Sequence, residues 1–339
     1  MKKISVIILN WNGRKMLEQF LPSVVHNTSE VWAEIVVADN GSDDDSVDFL
    51  RQTYPNVKLI QLEKNYGFAE GYNKAIALCE TEYVVLLNSD VETPEGWIEP
   101  LAEYMESHPE VVASQPKILS YNEKYKFEHA GAAGGFIDNY GFPYCRGRIF
   151  SDVEEDRGQY DTVTQVFWTT GAALFIRRAD YLAVGGLDAS FFAHMEEIDL
   201  CWRLNSRGGK LVCIPQSKVY HLGGGTLSTS NPRKTYLNFR NNLLMIYKNE
   251  TEGRVSRILL MRKFFDNLAA LMFLMKGEKE NFQAVRKARK EFKKIKKQYQ
   301  DKRKENLKLQ KVCEYNYNYK GSIVFAYYMR KKRSFEQLK

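Results

Sequence analysis

Residues 83–92 read YVVLLNSDVE: five apolar residues without a polar interruption, then an amide, a hydroxyl and two carboxylates within five positions. A run this short, apolar and β-branched is a strand buried on both faces. The same pattern recurs upstream in ISVIIL (4–9), EIVVAD (34–39) and VKLIQL (57–62), and downstream in VVASQP (111–116). The intervening segments RKMLEQFLPSVV, SVDFLRQTY, AEGYNKAIALC and GWIEPLAEYMESH place apolar residues at helical spacing. Ser46 and Thr93 suit helix N-caps, and Pro94 suits a first turn. Strand–helix alternation predicts an α/β protein with a Rossmann-like, doubly wound, mostly parallel sheet, whose ligand crevice lies at the carboxyl ends of the strands.

Polar residues and glycines gather at those ends: Asn10 to Gly13, Asp39 to Asp45, Asn65 to Gly71 and Asn88 to Glu92. From about Ser120 to Thr164 the pattern turns irregular and rich in glycine and aromatics, which reads as long loops over the crevice. Regularity returns with VFWTTGAALFIRR, the acidic helix MEEIDLCWRLNSRGG, the strand KLVCIP and the segment KVYHLGGGT.

At 44% hydrophobic and 27% charged residues, the 339-residue chain has ample material for a core and is not a disordered polypeptide. Its net charge of +7 is unevenly placed. Residues 276–339 hold 21 Lys and Arg against 7 Asp and Glu, a local +14, which leaves residues 1–275 at −7. Five scattered cysteines indicate neither a disulfide framework nor a zinc site. The apolar run after Lys2 and Lys3 is too short for a signal peptide and lacks a cleavage site, so the chain reads as cytoplasmic.

In ADNGSDDDS, Asp39 at a strand end can accept a hydrogen bond from a pyrimidine imide, and Ser42 offers a hydroxyl; an ordinary Asn-Gly turn is the competing reading. NYGFAEGYNKA places Gly67 and Gly71 where backbone comes close to something, ahead of a helix N-terminus that favours an anion, with Asn65 and Asn73 as neutral donors. Asp90 can hold a hard divalent cation whose other ligands come from a nucleotide diphosphate, with Asn88 as a carbonyl donor and Glu92 in reserve; satisfying turn amides is the alternative. In HMEEIDLCWR, Glu196, Asp199 and Arg203 share a helix side suited to a salt-bridge network, while Glu197 projects elsewhere and can face the crevice. His221 is a structural hydrogen-bonding residue or a nitrogen ligand to the cation at Asp90.

Taken in order, SVIILNWNG, VVADNGSDDDS, KNYGFAEGYNKA, VVLLNSDVE, TTGAALFIRR, FFAHMEEIDLCWRL and VYHLGGGT resemble glycosyltransferase family 2, the inverting GT-A enzymes, and in particular its rhamnosyltransferase-like branch. The resemblance covers roughly residues 1–250. It implies a GT-A catalytic domain over 1–230, with a nucleotide-binding half (1–115) and an acceptor half (116–230). It also implies a nucleotide-sugar donor, a divalent cation (Mn2+ or Mg2+) and single displacement at the anomeric carbon. Asn10, Asp39, Asn40 and Ser42 then hold the nucleoside, and Asn65, Gly67 and Asn73 serve the path to the diphosphate. Asn88, Ser89 and Asp90 form the metal motif, with His221 a further ligand. Trp168, Thr170, Gly171 and Trp202 line the sugar and acceptor site, and the carboxylate helix supplies the base. Two residues depart from the family pattern: Asn88 stands where an Asp is usual, and Glu196-Glu197 stands where Glu-Asp is usual, so the matching base is Glu197, one methylene longer.

Residues 231–339 read as a helical, basic, membrane-associating or oligomerising extension. The segment 256–275 is too interrupted by Arg262, Lys263 and Asp266 to span a bilayer. An amphipathic helix followed by a cationic one suits the anionic inner face of a cell membrane, where lipid-linked or glycan acceptors would be met; a homo-oligomer contact is the alternative. No nucleic-acid-binding module is recognisable. Two rivals to a transferase remain: a nucleotide-sugar-binding protein without turnover, and a nucleotidyltransferase, for which WNGRKM is a poor phosphate loop.

Overall fold

The structure is a computed structural model and describes residues 2–223 and 231–338. The strands are β1 (Ile4–Asn10), β2 (Ala33–Asp39), β3 (Lys58–Gln61), β4 (Tyr83–Leu87), β5 (Val91–Glu92), β6 (Val111–Ser120), β7 (Gly135–Ile137), β8 (Pro143–Cys145), β9 (Arg148–Ile149), β10 (Asp152–Val153), β11 (Thr164–Gln165), β12 (Ala173–Arg177) and β13 (Lys210–His221). The helices are α1 (Arg14–Asn27), α2 (Ser46–Thr53), α3 (Gly67–Ala77), α4 (Glu99–Ser107), α5 (Arg178–Ala183), α6 (Glu196–Ser206), α7 (Pro232–Asn249), α8 (Glu252–Met275), α9 (Lys279–Ile295), α10 (Gln300–Leu309) and α11 (Ile323–Tyr328).

Among the described residues, nine strands form one sheet in the order β11-β13-β6-β12-β4-β1-β2-β3, with β5 pairing β13. β1 to β4 are mutually parallel, as their apolar runs predict. Alternate β1 residues feed two cores. Val6 and Ile8 pack with α1, α2 and α4 on one face, and Ile7 packs with α3 on the other. The strand order reverses its direction of growth between β1 and β4, so a crevice opens there at the carboxyl ends.

β12 enters between β4 and β6 and runs antiparallel to both. The chain leaves β6 at the crevice edge and returns from that same edge, which forces the reversed direction. The turn leading into β12 therefore lies beside the end of β4, where Asn88 N donates to Ala172 O at 2.9 Å. β13 runs parallel to β6 and ends at the crevice edge; its pairing with β5 sets His221 opposite Val91.

Several expectations are corrected. The stretch read as long loops contains a four-stranded antiparallel sheet, β10-β9-β8-β7, whose strands are too short to show a period. The helix expected from Thr93 and Pro94 begins at Glu99, with Pro100 in its first turn, and the helix expected to be capped by Ser46 is preceded by Asp45. The basic region is helical as expected, and it shares the main core: Phe292, Tyr299, Ile323, Ala326 and Tyr327 pack in the same cluster as Ile7 and Tyr72. Asp138 fastens its far end, accepting from Tyr140 N, Phe142 N and Ile323 N.

Candidate active site

The end of β1 and the turn after β2 are laced together. Asn10 Nδ2 donates to Asp39 Oδ1 at 3.0 Å, and Ser42 donates to both Asp39 oxygens, from N at 3.0 Å and from Oγ at 2.6 Å. Ser42 Oγ in turn accepts from Asn12 N at 2.9 Å. Gly41 makes this turn possible, since it sits at φ 71° and a Cβ there would lie 2.5 Å from the backbone of Lys64. The Asn10 side-chain oxygen is buried without a partner among the described residues. Beside it stands Trp11, 52% exposed, an aromatic that the sequence reading passed over.

Asn40 and Asn65 hold the next loop in shape. Asn40 bonds Asn65 Oδ1, Gly67 O and Tyr66 N, and Asn65 Oδ1 also accepts from Gly67 N. Gly67, at φ 77°, faces Phe192, 3.1 Å from where a Cβ would stand. Asn73 is committed elsewhere. Its Nδ2 donates to Leu187 O, and its Oδ1 accepts from Leu187 N and the Tyr181 hydroxyl, so it fastens α3 to the loop after α5 and not to the nucleotide path.

At the end of β4, Asp90 meets His221. His221 Nε2 is 3.1 Å from Asp90 Oδ1 and 3.4 Å from Asn88 Nδ2, and on the other side of the ring Nδ1 is 3.2 Å from Glu128 Oε2. Glu128, which the sequence reading did not single out, is buried and receives Ala130 N. Burial alone would lower the His221 pKa, but the two carboxylates outweigh it and push the imidazole up to about 10. Of the motif VYHLGGGT, residues beyond Gly223 lie outside the described residues.

The turn Thr169–Ala172 is linked to this pair through Asn88 and Ala130 and also touches the carboxylate helix. Thr170 Oγ1 donates to Ala130 O, its N donates to Gln115 Oε1, and Gly171 lies against Glu197. A Cβ on Gly171 would sit 3.6 Å from Glu197 Cβ and 3.7 Å from Phe68. Trp168 and Trp202, expected to line the acceptor site, are each 4% exposed and belong to the core. Trp168 donates to Phe136 O and covers Gly135; Trp202 packs edge-on against Phe167 and borders a cavity of about 130 Å³ with Ile246, Arg254 and Tyr315.

Glu197 Oε2 and Glu196 Oε2 are buried without hydrogen-bond partners among the described residues. Burial pushes Glu197 up to about 7, and burial together with the Glu197 charge holds Glu196 well above the usual carboxylate range. The salt-bridge network expected on Glu196, Asp199 and Arg203 includes the latter two and not Glu196. Asp199 binds Arg203 at 3.0 Å and Lys248 at 2.9 Å, and Lys248 also reaches Asp188. Burial would raise the Asp188 carboxyl, but Lys248 and Lys302 hold it below the usual range. The loop before α6 is strained: Phe192, His194 and Met195 all have positive φ, of 67°, 69° and 73°. Asn241 of α7 holds it, with Nδ2 donating to the carbonyls of Phe191, Ala193 and His194 at 2.8–3.0 Å.

A mostly parallel sheet with a switch-point crevice at its carboxyl edge is the architecture of the GT-A fold. The chain belongs to glycosyl transferase family 2, which residues 5–180 match. It is 28% identical over 233 residues to the N-acetylglucosaminyl-diphospho-decaprenol L-rhamnosyltransferase of Mycobacterium tuberculosis, covering 64% of this chain and 75% of that protein. It is 23% identical over 227 residues to the rhamnosyltransferase WbbL of Escherichia coli, covering 64% and 83%. Among solved structures it superposes on GalNAc-T7 with UDP, GalNAc and Mn2+ (TM-score 0.57, 19% identity, 73% of this chain and 48% of that one). It also superposes on S. aureus TarS with UDP (0.51, 18%, 76% and 70%). The chain thus spans about half the length of the GalNAc-T7 structure. It is a rhamnosyltransferase-like glycosyltransferase.

Proposed function

We propose that this enzyme moves a sugar from a nucleotide-diphosphate donor, of the dTDP- or UDP-sugar type with rhamnose the leading candidate, to a glycan or lipid-linked acceptor in cell-surface polysaccharide assembly, with inversion. The observation that carries the reading is that the Thr169–Ala172 turn joins both groups: it is tied through Asn88 and through Ala130 and Glu128 to the Asp90–His221 pair, and Gly171 lies against Glu197, whose Oε2 has no partner among the described residues. The names of the M. tuberculosis and E. coli relatives support the rhamnosyl assignment.

Asp39, Asn10 and Ser42 would position the nucleoside, with Trp11 offering a face to the base. Asp90 Oδ1 and His221 Nε2 are 3.1 Å apart, the spacing of two adjacent ligands around a cation held at roughly 2.1 Å, and the imidazole, protonated while it pairs with the two carboxylates, would have to release its Nε2 proton to serve as one of them. Glu128 at the far ring nitrogen fits the carboxylate that commonly orients a metal-binding histidine. Among the described residues no three His, Cys, Asp or Glu side chains form a ligand set. A bound Mn2+ or Mg2+ would offset charge on the departing diphosphate.

Glu197 is the base. With a pKa near 7 it is partly ionised at neutral pH and still accepts a proton. The acceptor hydroxyl oxygen attacks the anomeric carbon, its proton passes to Glu197, and the bond to the diphosphate breaks with its electron pair leaving on the nucleotide. Glu196 beside it is disfavoured as the base, because burial and the neighbouring Glu197 charge hold its carboxyl above the usual range.

A thermal-shift screen of nucleotide sugars with and without Mn2+ or Mg2+ tests donor binding, since a ligand that binds only the folded state raises Tm by mass action. A cation-dependent shift with one nucleotide class supports the reading; no shift across the panel defeats it. We also assign the enzyme to the inner face of the cell membrane as a peripheral protein. Among the described residues no helix is long and apolar enough to cross a bilayer, and the cationic region after Lys276 suits anionic lipid.

A further inference from the structure

The helix α8 is built inside out for a protein in water. Its charged residues Arg262 and Asp266 are turned inward: Asp266 is 0% exposed and pairs with Arg262 at 3.2 Å and with Arg289 of α9, and Arg262 lies 3.8 Å over the Phe142 ring. Its large apolar residues face out. Leu260, Phe264, Leu268, Leu271, Leu274 and Met275 are exposed, Leu260 by 66% and Phe264 by 62%, and their spacing of three and four sets them in one stripe. Such a stripe is a surface awaiting a partner.

We propose that this outward face of α8 docks on an anionic lipid bilayer, seating the stripe among the acyl chains at the headgroup boundary. The charge pattern selects this occupant. The exposed residues of α8 include Arg254, Arg257 and Lys263, and its one exposed carboxylate, Glu252, stands at the first position, away from the apolar stripe. The adjoining α9, packed against α8 after the turn at Gly277, buries Ala284, Val285, Ala288 and Phe292 and exposes Lys279, Arg286, Lys287, Lys290, Lys293 and Lys294 against the exposed carboxylate of Glu280. A second copy meeting this face two-fold would set these cations against their equals, whereas anionic headgroups neutralise them. The apolar stripe and the cationic helix thus supply two signals, as stable reversible anchoring needs.

This deepens the membrane reading above and rests on it, while the site chemistry stands apart. The test is flotation of the full-length protein with vesicles of phosphatidylcholine, alone or with phosphatidylglycerol. Wild type is expected to float with the anionic vesicles, and the triple variant Leu260→Gln, Phe264→Gln, Leu271→Gln to lose at least about tenfold in partitioning. Its Tm and its nucleotide release in solution should stay near wild-type values, because these side chains are exposed and belong to neither hydrophobic core. A variant that floats like wild type overturns the assignment of the surface and leaves membrane binding intact. A wild type that floats with neither vesicle overturns both, and a wild-type dimer that the variant dissociates, without vesicle binding, gives the face to a second copy.

Discussion

His221 Nδ1 lies 3.2 Å from Glu128 Oε2, on the side of the ring opposite Asp90, so a buried carboxylate forms a charge pair behind the imidazole that would offer Nε2 to a cation. Replacing Glu128 by Gln keeps its volume and removes the charge that orients the ring. Mn2+ affinity in the presence of UDP, read by calorimetry, should fall about 10–100-fold. A change under about twofold would mean that His221 is not a ligand, or needs no orienting partner.

Glu197 carries a pH signature. An ionised base is needed, and burial sets its pKa near 7, so the transfer rate should climb about tenfold per pH unit below 7 and level off above it. Glu197→Gln should cut turnover by about 10²–10⁴-fold at unchanged donor affinity. If that variant turned over near wild-type rates, the base would have to be sought at Glu196.

Asn241 supports the strained loop that presents α6, although it lies outside every motif that marks the family in the sequence. Asn241→Ala strips three carbonyls of their shared donor, at a cost of about 1–3 kcal/mol. The expected phenotype is a fall in kcat with donor binding by calorimetry held near normal. Loss of both in proportion to a lowered Tm would reduce Asn241 to a purely structural residue.

Removing residues 276–339 should unfold the catalytic unit and not merely detach an appendage. The cut deletes Phe292, Ile323, Ala326 and Tyr327 from the main core and leaves Asp138 with a lost partner at Ile323 N. Circular dichroism and limited proteolysis of the truncated chain should show a large drop in Tm, and a truncated chain that melts like the full one would contradict this packing.

The sheet was legible because each parallel strand, buried on both faces, writes itself as an unbroken apolar run; β1, β2 and β4 lie within a residue of where ISVIIL, EIVVAD and YVVLLN place them. The direction of β12 was not, since an antiparallel strand in the middle of a covered sheet has the same composition as a parallel one. Among site residues, Asp39 ends β2, Ser42 and Asp90 lie in the turns after β2 and β4, and Glu197 stands in the first turn of α6, all positions that strand and helix ends mark in the sequence. Asn73 and Trp202 were misread in their surroundings: a neutral amide and an indole serve as well to tie loops and fill a core. Glu128 and Asn241 left no local signal, because their partners are 93 positions away at His221 and about 50 away at Phe191, respectively.

The central claim is metal-assisted sugar transfer by Asp90, His221 and Glu197. The most direct measurement is release of nucleoside diphosphate from a panel of nucleotide sugars, with a lipid-linked acceptor present, by wild type, Asp90→Ala and Glu197→Gln. Wild type should release one nucleotide class with Mn2+ and stop with EDTA, Asp90→Ala should lose release, and Glu197→Gln should bind donor without releasing it. Donor binding without release by wild type, or release indifferent to EDTA and to Asp90→Ala, would contradict the account.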